Sequence, residues 1–235
     1  MSTGTKHTLT AFDDDMDDIR GMVAEMGARA EIAVQNAMRA LLEGDRDLAT
    51  STRAEDKIID ALETEVEKRV VQTIALRAPM ADDLRELVAA LKMSAVIERI
   101  GDYAKNIAKR VLLIDADQQI DAARLLPAMA DATRQLVDDA FTAFAKRDAD
   151  LAVAVCAQDK TVDDFYNSIF RALIAHMIDN PEHVGAGTHL LFIAKNLERI
   201  GDHATNVAEM VYFAVMGQSM NERERGDDAL APGSD

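Results

Sequence analysis

ERIGDYAKNIA fills residues 98–108, and ERIGDHATNVA returns at residues 198–208, with eight of the eleven positions identical. Each copy sets two acids four residues apart, Glu98 with Asp102 and Glu198 with Asp202, and places Gly101 or Gly201 between them. At about 100° per residue the paired acids share one helix face. Leu84, Leu87 and Leu91 continue that face in the first copy, and Leu191 and Gly187 continue it in the second, where Glu209 joins the row. Asn106 and Asn206 flank the two stripes. A carboxylate on a core-facing stripe must be neutralised, paired or coordinated, because leaving it ionised and alone costs roughly several kcal/mol. A glycine inside a helix costs about 1 kcal/mol relative to alanine. Its repetition points to close approach of a neighbouring helix.

Working outward from the phrase, the chain reads as six long helices in two matching halves. Apolar residues at three- and four-residue spacing from Met16 through Leu42 predict the first helix. Gly44, with Asp45 and Asp47, supplies a stop and an N-cap, and a second helix follows to about Ala78, where Pro79 ends it. The third runs from about Met80 to Ile114. The polar DADQQID, residues 115–121, connects the halves. Three more helices are predicted at about 122–146, from the RDAD break at 147–150 to Ile178, and from the DNP breaker to Gly217. GDRDLA at 44–49 matches RDADLA at 147–152, and DKIID at 56–60 matches DKTVD at 159–163. A duplicated three-helix unit accounts for these matches. The expected fold is therefore all-α: two tandem, related three-helix bundles over residues 10–115 and 121–217. Residues 218–235, polar and without apolar period, are expected to form a disordered tail.

Composition agrees. Of the 235 residues, 49% are hydrophobic but only 4% are aromatic, with no Trp, which favours helices packed through aliphatic side chains. The single cysteine, Cys156, sits in the apolar run LAVAVCA and reads as a buried small hydrophobe. No stretch has the apolar length of a membrane span or the pattern of a secretory signal, so a cytoplasmic protein is expected. The formal charge of −16 disfavours nucleic acid and favours metal ions or basic protein faces as partners.

The second helix of each half adds further acid. Asp56 and Asp60 border the Ile59, Val66 and Val70 stripe, with Glu63 and Glu67 continuing the row; Asp159 and Asp163 take the same place in the second half. Antiparallel packing brings these acids toward Glu98 and Asp102, or toward Glu198 and Asp202. Converging like charges require a cation, and so many hard oxygen ligands suit Mg, Ca, Mn or iron. The competing reading is structural ion pairing, with Arg99, Arg199, Lys57 and Lys160 as candidates. His203 points about 100° away from Asp202 and reads as a surface or packing residue. A di-iron carboxylate enzyme needs Glu-x-x-His on two helices, and no Glu here has a His three residues later. A phosphatase that pairs an acid with Asn106 or Asn206 competes as well, and so does a helical adaptor that carries no metal.

Two three-helix units, each bearing ERIGD-x-A-x-N-[IV]-A, resemble the PhoU family of phosphate-signalling regulators over about residues 10–217. The resemblance implies paired three-helix bundles whose acidic motifs bind divalent or trivalent metal ions, in some members as multinuclear iron or zinc clusters, with manganese and magnesium as further candidates. The matched metal positions are Asp56, Asp60, Glu98, Asp102 and Asn106, then Asp159, Asp163, Glu198, Asp202, Asn206 and Glu209. Lys109 stands where the second copy has Glu209, which implies a less acidic first site. The resemblance further implies a regulator and no catalyst. Such a protein links the cytoplasmic components of the phosphate ABC transporter to a sensor histidine kinase, holds the starvation response off when phosphate is plentiful, and forms a homodimer.

Overall fold

The computed structural model describes residues 3–114 and 120–220, with side chains from Phe12 onward except that of residue 122. Six helices follow one another: α1 (Thr3–Glu43), α2 (Arg46–Arg77), α3 (Asp82–Val111), α4 (Leu126–Lys146), α5 (Ala149–Asp179) and α6 (Val184–Met216). One-turn 3₁₀ segments at Asp121–Ala123 and Pro181–His183 precede α4 and α6. The described residues contain no strand. The expected boundaries hold to within a few residues except at the start of α1, which begins well before Met16. The expected connection falls largely on residues 115–119 and the expected tail on 221–235, both outside the described residues.

Local chemistry explains the breaks. Gly44 has φ +67°, a left-handed turn that lets Asp45 cap α2 by accepting a 2.8 Å hydrogen bond from the Leu48 amide. Asp148 caps α5 in the same way, accepting from the Leu151 amide at 3.0 Å. The residue matching Gly44 is Arg147, which holds φ +53° without glycine's freedom.

The buried positions repeat along with the sequence. Met93, Ile97, Ile100, Ala104 and Ile107 of α3 are buried, and so are Ile193, Leu197, Ile200, Ala204 and Val207 of α6, one hundred residues on. Ile59, Val66 and Val70 of α2 correspond to Val162, Ile169 and Leu173 of α5, all buried. Each half packs its three helices together, and the halves join through α3 against α6 and α1 against α4. This leaves α2 and α5 on the two flanks, each laid against the helix that carries its ERIGD phrase. Cys156 is buried, as its apolar setting predicts. Among the described residues no helix is long and apolar enough to cross a membrane.

Candidate metal centre

The glycines fix the approach of helix to helix. A Cβ on Gly101 would lie 2.9 Å from Ile59 Cδ1 and 3.7 Å from Asp56 Oδ1. On Gly201 it would lie 3.0 Å from Asp159 Oδ1. The notch in α3 or α6 thus brings Asp56 of α2 or Asp159 of α5 down onto the backbone of the acidic phrase. Close approach of a neighbouring helix is what the repeated glycine provides.

In the first half Asp56 is 4% exposed, and its two oxygens meet different fates. Oδ2 accepts from Lys105 Nζ at 2.5 Å, while the same ammonium lies 3.0 Å from Asp102 Oδ1. Oδ1 is buried without a hydrogen-bond partner. Arg99 approaches Glu98 at 3.6 Å and Asp102 at 3.9 Å. Burial, followed by the charge of Asp56, raises the carboxyl of the exposed Asp60. Burial first and Asp102 second raise Glu98. Hydrogen bonds to Asp56 and Asp102 raise Lys105 and hold it charged.

The second half carries the same acids without the bridging lysine. Burial pushes Asp159 up to about 7, helped by the charges of Asp163, Asp202 and Glu198. Asp163 and Asp202 are also raised, again by burial first and by Glu198 next. Lys195 Nζ bonds Glu198 Oε1 along their own helix and sits 5.0 Å from the Tyr166 ring centroid. Glu198 Oε2 is buried with no hydrogen-bond partner. Among the described residues no ion pair reaches Asp159, Asp163 or Asp202. Such a set, acid-rich, poorly compensated and with an orphaned buried oxygen, fits a hard cation. The first cluster fits one less well, because an ammonium already lies between its acids.

As the side chains stand, no group of three or more His, Cys, Asp or Glu among the described residues is gathered tightly enough to hold a metal ion. Mutual repulsion between like charges favours that spread. Asn106 is exposed. Asn206 and Glu209 line a hollow of about 270 Å³ with Val88 and Lys92 of α3. Glu209 is not among the charges that perturb Asp159, Asp163 or Asp202.

Of the cations expected beside the acids, Arg99 is present, and Arg199, Lys57 and Lys160 make no ion pair among the described residues. Lys105 and Lys195, which do pair with the acids, were not among the cations expected from the sequence. The signal for Lys105 was there: position 105 is one of only three at which the two copies of the phrase differ, as Lys against Thr205.

Comparison with known proteins agrees with this duplicated architecture. The family model described as "PhoU domain" matches the chain twice, over residues 23–111 and 126–211. A phosphate-specific transport system accessory protein PhoU homolog of Zymomonas mobilis is 47% identical, covering 96% of this chain and 95% of its own length. The homolog of Caulobacter vibrioides is 40% identical over 97% of this chain and 99% of its own. The crystal structure of PhoU from Pseudomonas aeruginosa superposes with a TM-score of 0.85 at 33% identity, covering 88% of this chain and 100% of that one. That of the phosphate transport system regulatory protein PhoU from Streptococcus pneumoniae gives 0.83 at 25% identity, with 89% and 99% covered. With both halves matched and the whole length shared with these relatives, the chain belongs to the PhoU family.

Proposed function

We propose that this chain is an accessory regulator of phosphate uptake that carries metal on its acidic helices and performs no catalysis of its own. Near-full-length similarity to phosphate-transport accessory proteins, combined with the acids present in both ERIGD phrases, is the observation that supports the reading. Asp159, Asp163, Glu198 and Asp202 would hold the ion, whose charge would neutralise theirs and tie α5 to α6. The chain's formal charge of −16 leaves acidic helix surfaces suited to basic faces on other proteins. The cytoplasmic parts of the phosphate ABC transporter and a sensor histidine kinase are the partners proposed, and the regulator holds the kinase in its repressing state when phosphate is abundant. A homodimer is the proposed assembly.

The test is genetic and biochemical together. Deleting the gene is expected to leave phosphate-starvation genes switched on in phosphate-rich medium, and the wild-type chain to restore repression. Chelator-free purification is expected to yield protein with bound manganese, iron or zinc by elemental analysis. Normal repression in the deletion strain removes the regulatory role; metal-free protein that still restores repression leaves the adaptor reading in its place.

A further inference from the structure

The two acidic clusters derive from one duplicated unit, yet their cations differ. Asp56, Asp60, Glu98, Gly101 and Asp102 each have an identical counterpart in Asp159, Asp163, Glu198, Gly201 and Asp202. What changes is the residue one helical turn beyond the last acid: Lys105 in α3, Thr205 in α6. We infer that Lys105 is the resident cation of the first cluster, so that this chain takes metal at the second cluster alone. The inference rests on the reading that the acids of this fold hold metal.

Lys105 sits where an inter-helix metal ion would act. Its ammonium bridges one acid of α2 and one of α3, at 2.5 Å from Asp56 Oδ2 and 3.0 Å from Asp102 Oδ1. A hard divalent ion needs those same oxygens at about 2.0–2.6 Å. Two cations placed within a few ångströms repel strongly in a half-buried site, so one excludes the other. Asp56 is the most buried acid of the set at 4% exposure, and Lys105 is its only ion-pair partner among the described residues.

Thr205 supplies nothing comparable. Its hydroxyl donates to the Asp202 carbonyl on its own helix at 2.7 Å and carries no charge. The lysine that the second half does possess, Lys195, pairs with Glu198 of the same helix; its charge is felt by Asp163, but it makes no ion pair with either α5 acid. Ala95 stands at the matching position of the first half. Lys195 reaches over the Tyr166 ring of α5, but among the described residues only Lys105 pairs with an acid on each of the two helices.

Crystals of the full chain soaked in Mn²⁺, read by anomalous scattering, locate the ions. One Mn²⁺ position against Asp159, Glu198 and Asp202 is expected in the wild type, with none at Asp56 and Asp102. Lys105→Thr, which imports the residue of the second half, is expected to gain a position in the first; Thr205→Lys is expected to lose the one in the second. Mn²⁺ at both clusters of the wild type, or no gain in Lys105→Thr, overturns the inference while sparing the metal reading. No Mn²⁺ in any variant overturns the metal reading itself. Thermal unfolding in chelator adds a measurement that requires no metal. Lys105→Thr is expected to melt about 5 °C below the wild type, because it strips the buried Asp56 of its partner. Equal melting points there also overturn the inference.

Discussion

The rings of Tyr103 and His203 stack with centroids 5.4 Å apart and planes 21° from parallel. They occupy the same position of the two repeats, so a residue here meets its own counterpart, as happens only near the axis relating two copies. The crossing of α3 and α6 is thus an internal version of a dimer interface. Burial, then the charges of Arg99 and Arg199, depress the His203 imidazole below its ordinary value of 6.5. A depressed base contributes stability that is present above pH 6.5 and lost as the pH falls through the folded value. His203→Phe keeps a ring on Tyr103 and removes the titration. It is expected to raise the Tm at pH 5 by about 2–4 °C relative to the wild type, with the difference shrinking by pH 8. Melting curves at the two pH values decide this; an equal effect at both contradicts it.

Small backbone changes separate the glycines that serve packing from those that do not. Gly21 lies inside α1 with nothing within 4 Å of a built Cβ, so Gly21→Ala is expected to stabilise by about 0.5–1 kcal/mol. Gly101→Ala is expected to forfeit that gain, since its Cβ would press on the buried Ile59. Ala78, which ends α2 at φ +48°, should gain about 1 kcal/mol when replaced by glycine. Urea titration of the three variants checks all three signs.

The repeat, the helix breaks and the buried stripes were legible in the sequence because each rests on a periodic pattern or a local cap. Gly44 and Asp45, or Pro79, act within a few residues of themselves. The acids were legible as a class, since Glu98 and Asp102 are bound to share a face wherever the helix lies. Which cation answers them was not. Lys105 reaches Asp56 across 49 residues of chain, and only the packing of α2 on α3 brings the two together. Lys57 adjoins Asp56 in sequence, yet i and i+1 point apart on a helix. Comparing the copies residue by residue would have exposed Lys105, whereas spacing within one copy could not.

Glu86 joins the halves. It accepts from Arg20 of α1 at 2.7 Å and from Arg147, the residue between α4 and α5. Burial pushes the Glu86 carboxyl up, but the hydrogen bonds from Arg20 and Arg147 more than reverse this and leave it below its ordinary value. The left-handed backbone of Arg147 closes α4, its amide donating to the Ala143 and Phe144 carbonyls, while its guanidinium donates to Glu86. Glu86→Gln leaves two guanidinium groups undercompensated and is expected to cost about 1–3 kcal/mol. Arg147→Gly loses one ion pair but relieves about 1 kcal/mol of backbone strain, so it is expected to cost less. Chemical denaturation of both variants tests the order; the reverse order contradicts it.

Asp159 makes the metal-free protein sensitive to alkali, and the sign follows from linkage. Its folded value of about 7 lies above the ordinary 3.8, so the folded state keeps a proton that the unfolded chain has released. The resulting stability is fully present below about pH 4 and is lost as the pH rises through 7. Asp159→Asn has no such proton to lose. In chelator at pH 8 this variant is expected to be more stable than the wild type by about 1–2 kcal/mol, after allowance for solvent screening, with the gap closing toward pH 4. Saturating Mn²⁺ should reverse the order at pH 8, because the carboxylate that repels its neighbours in the free protein becomes a ligand in the loaded one. Binding must also release the proton held near pH 7. Calorimetry at pH 6.5 in two buffers of different ionisation enthalpy should therefore show about three-quarters of a proton more released by the wild type than by Asp159→Asn. Equal release from both proteins places the titrating group elsewhere than Asp159.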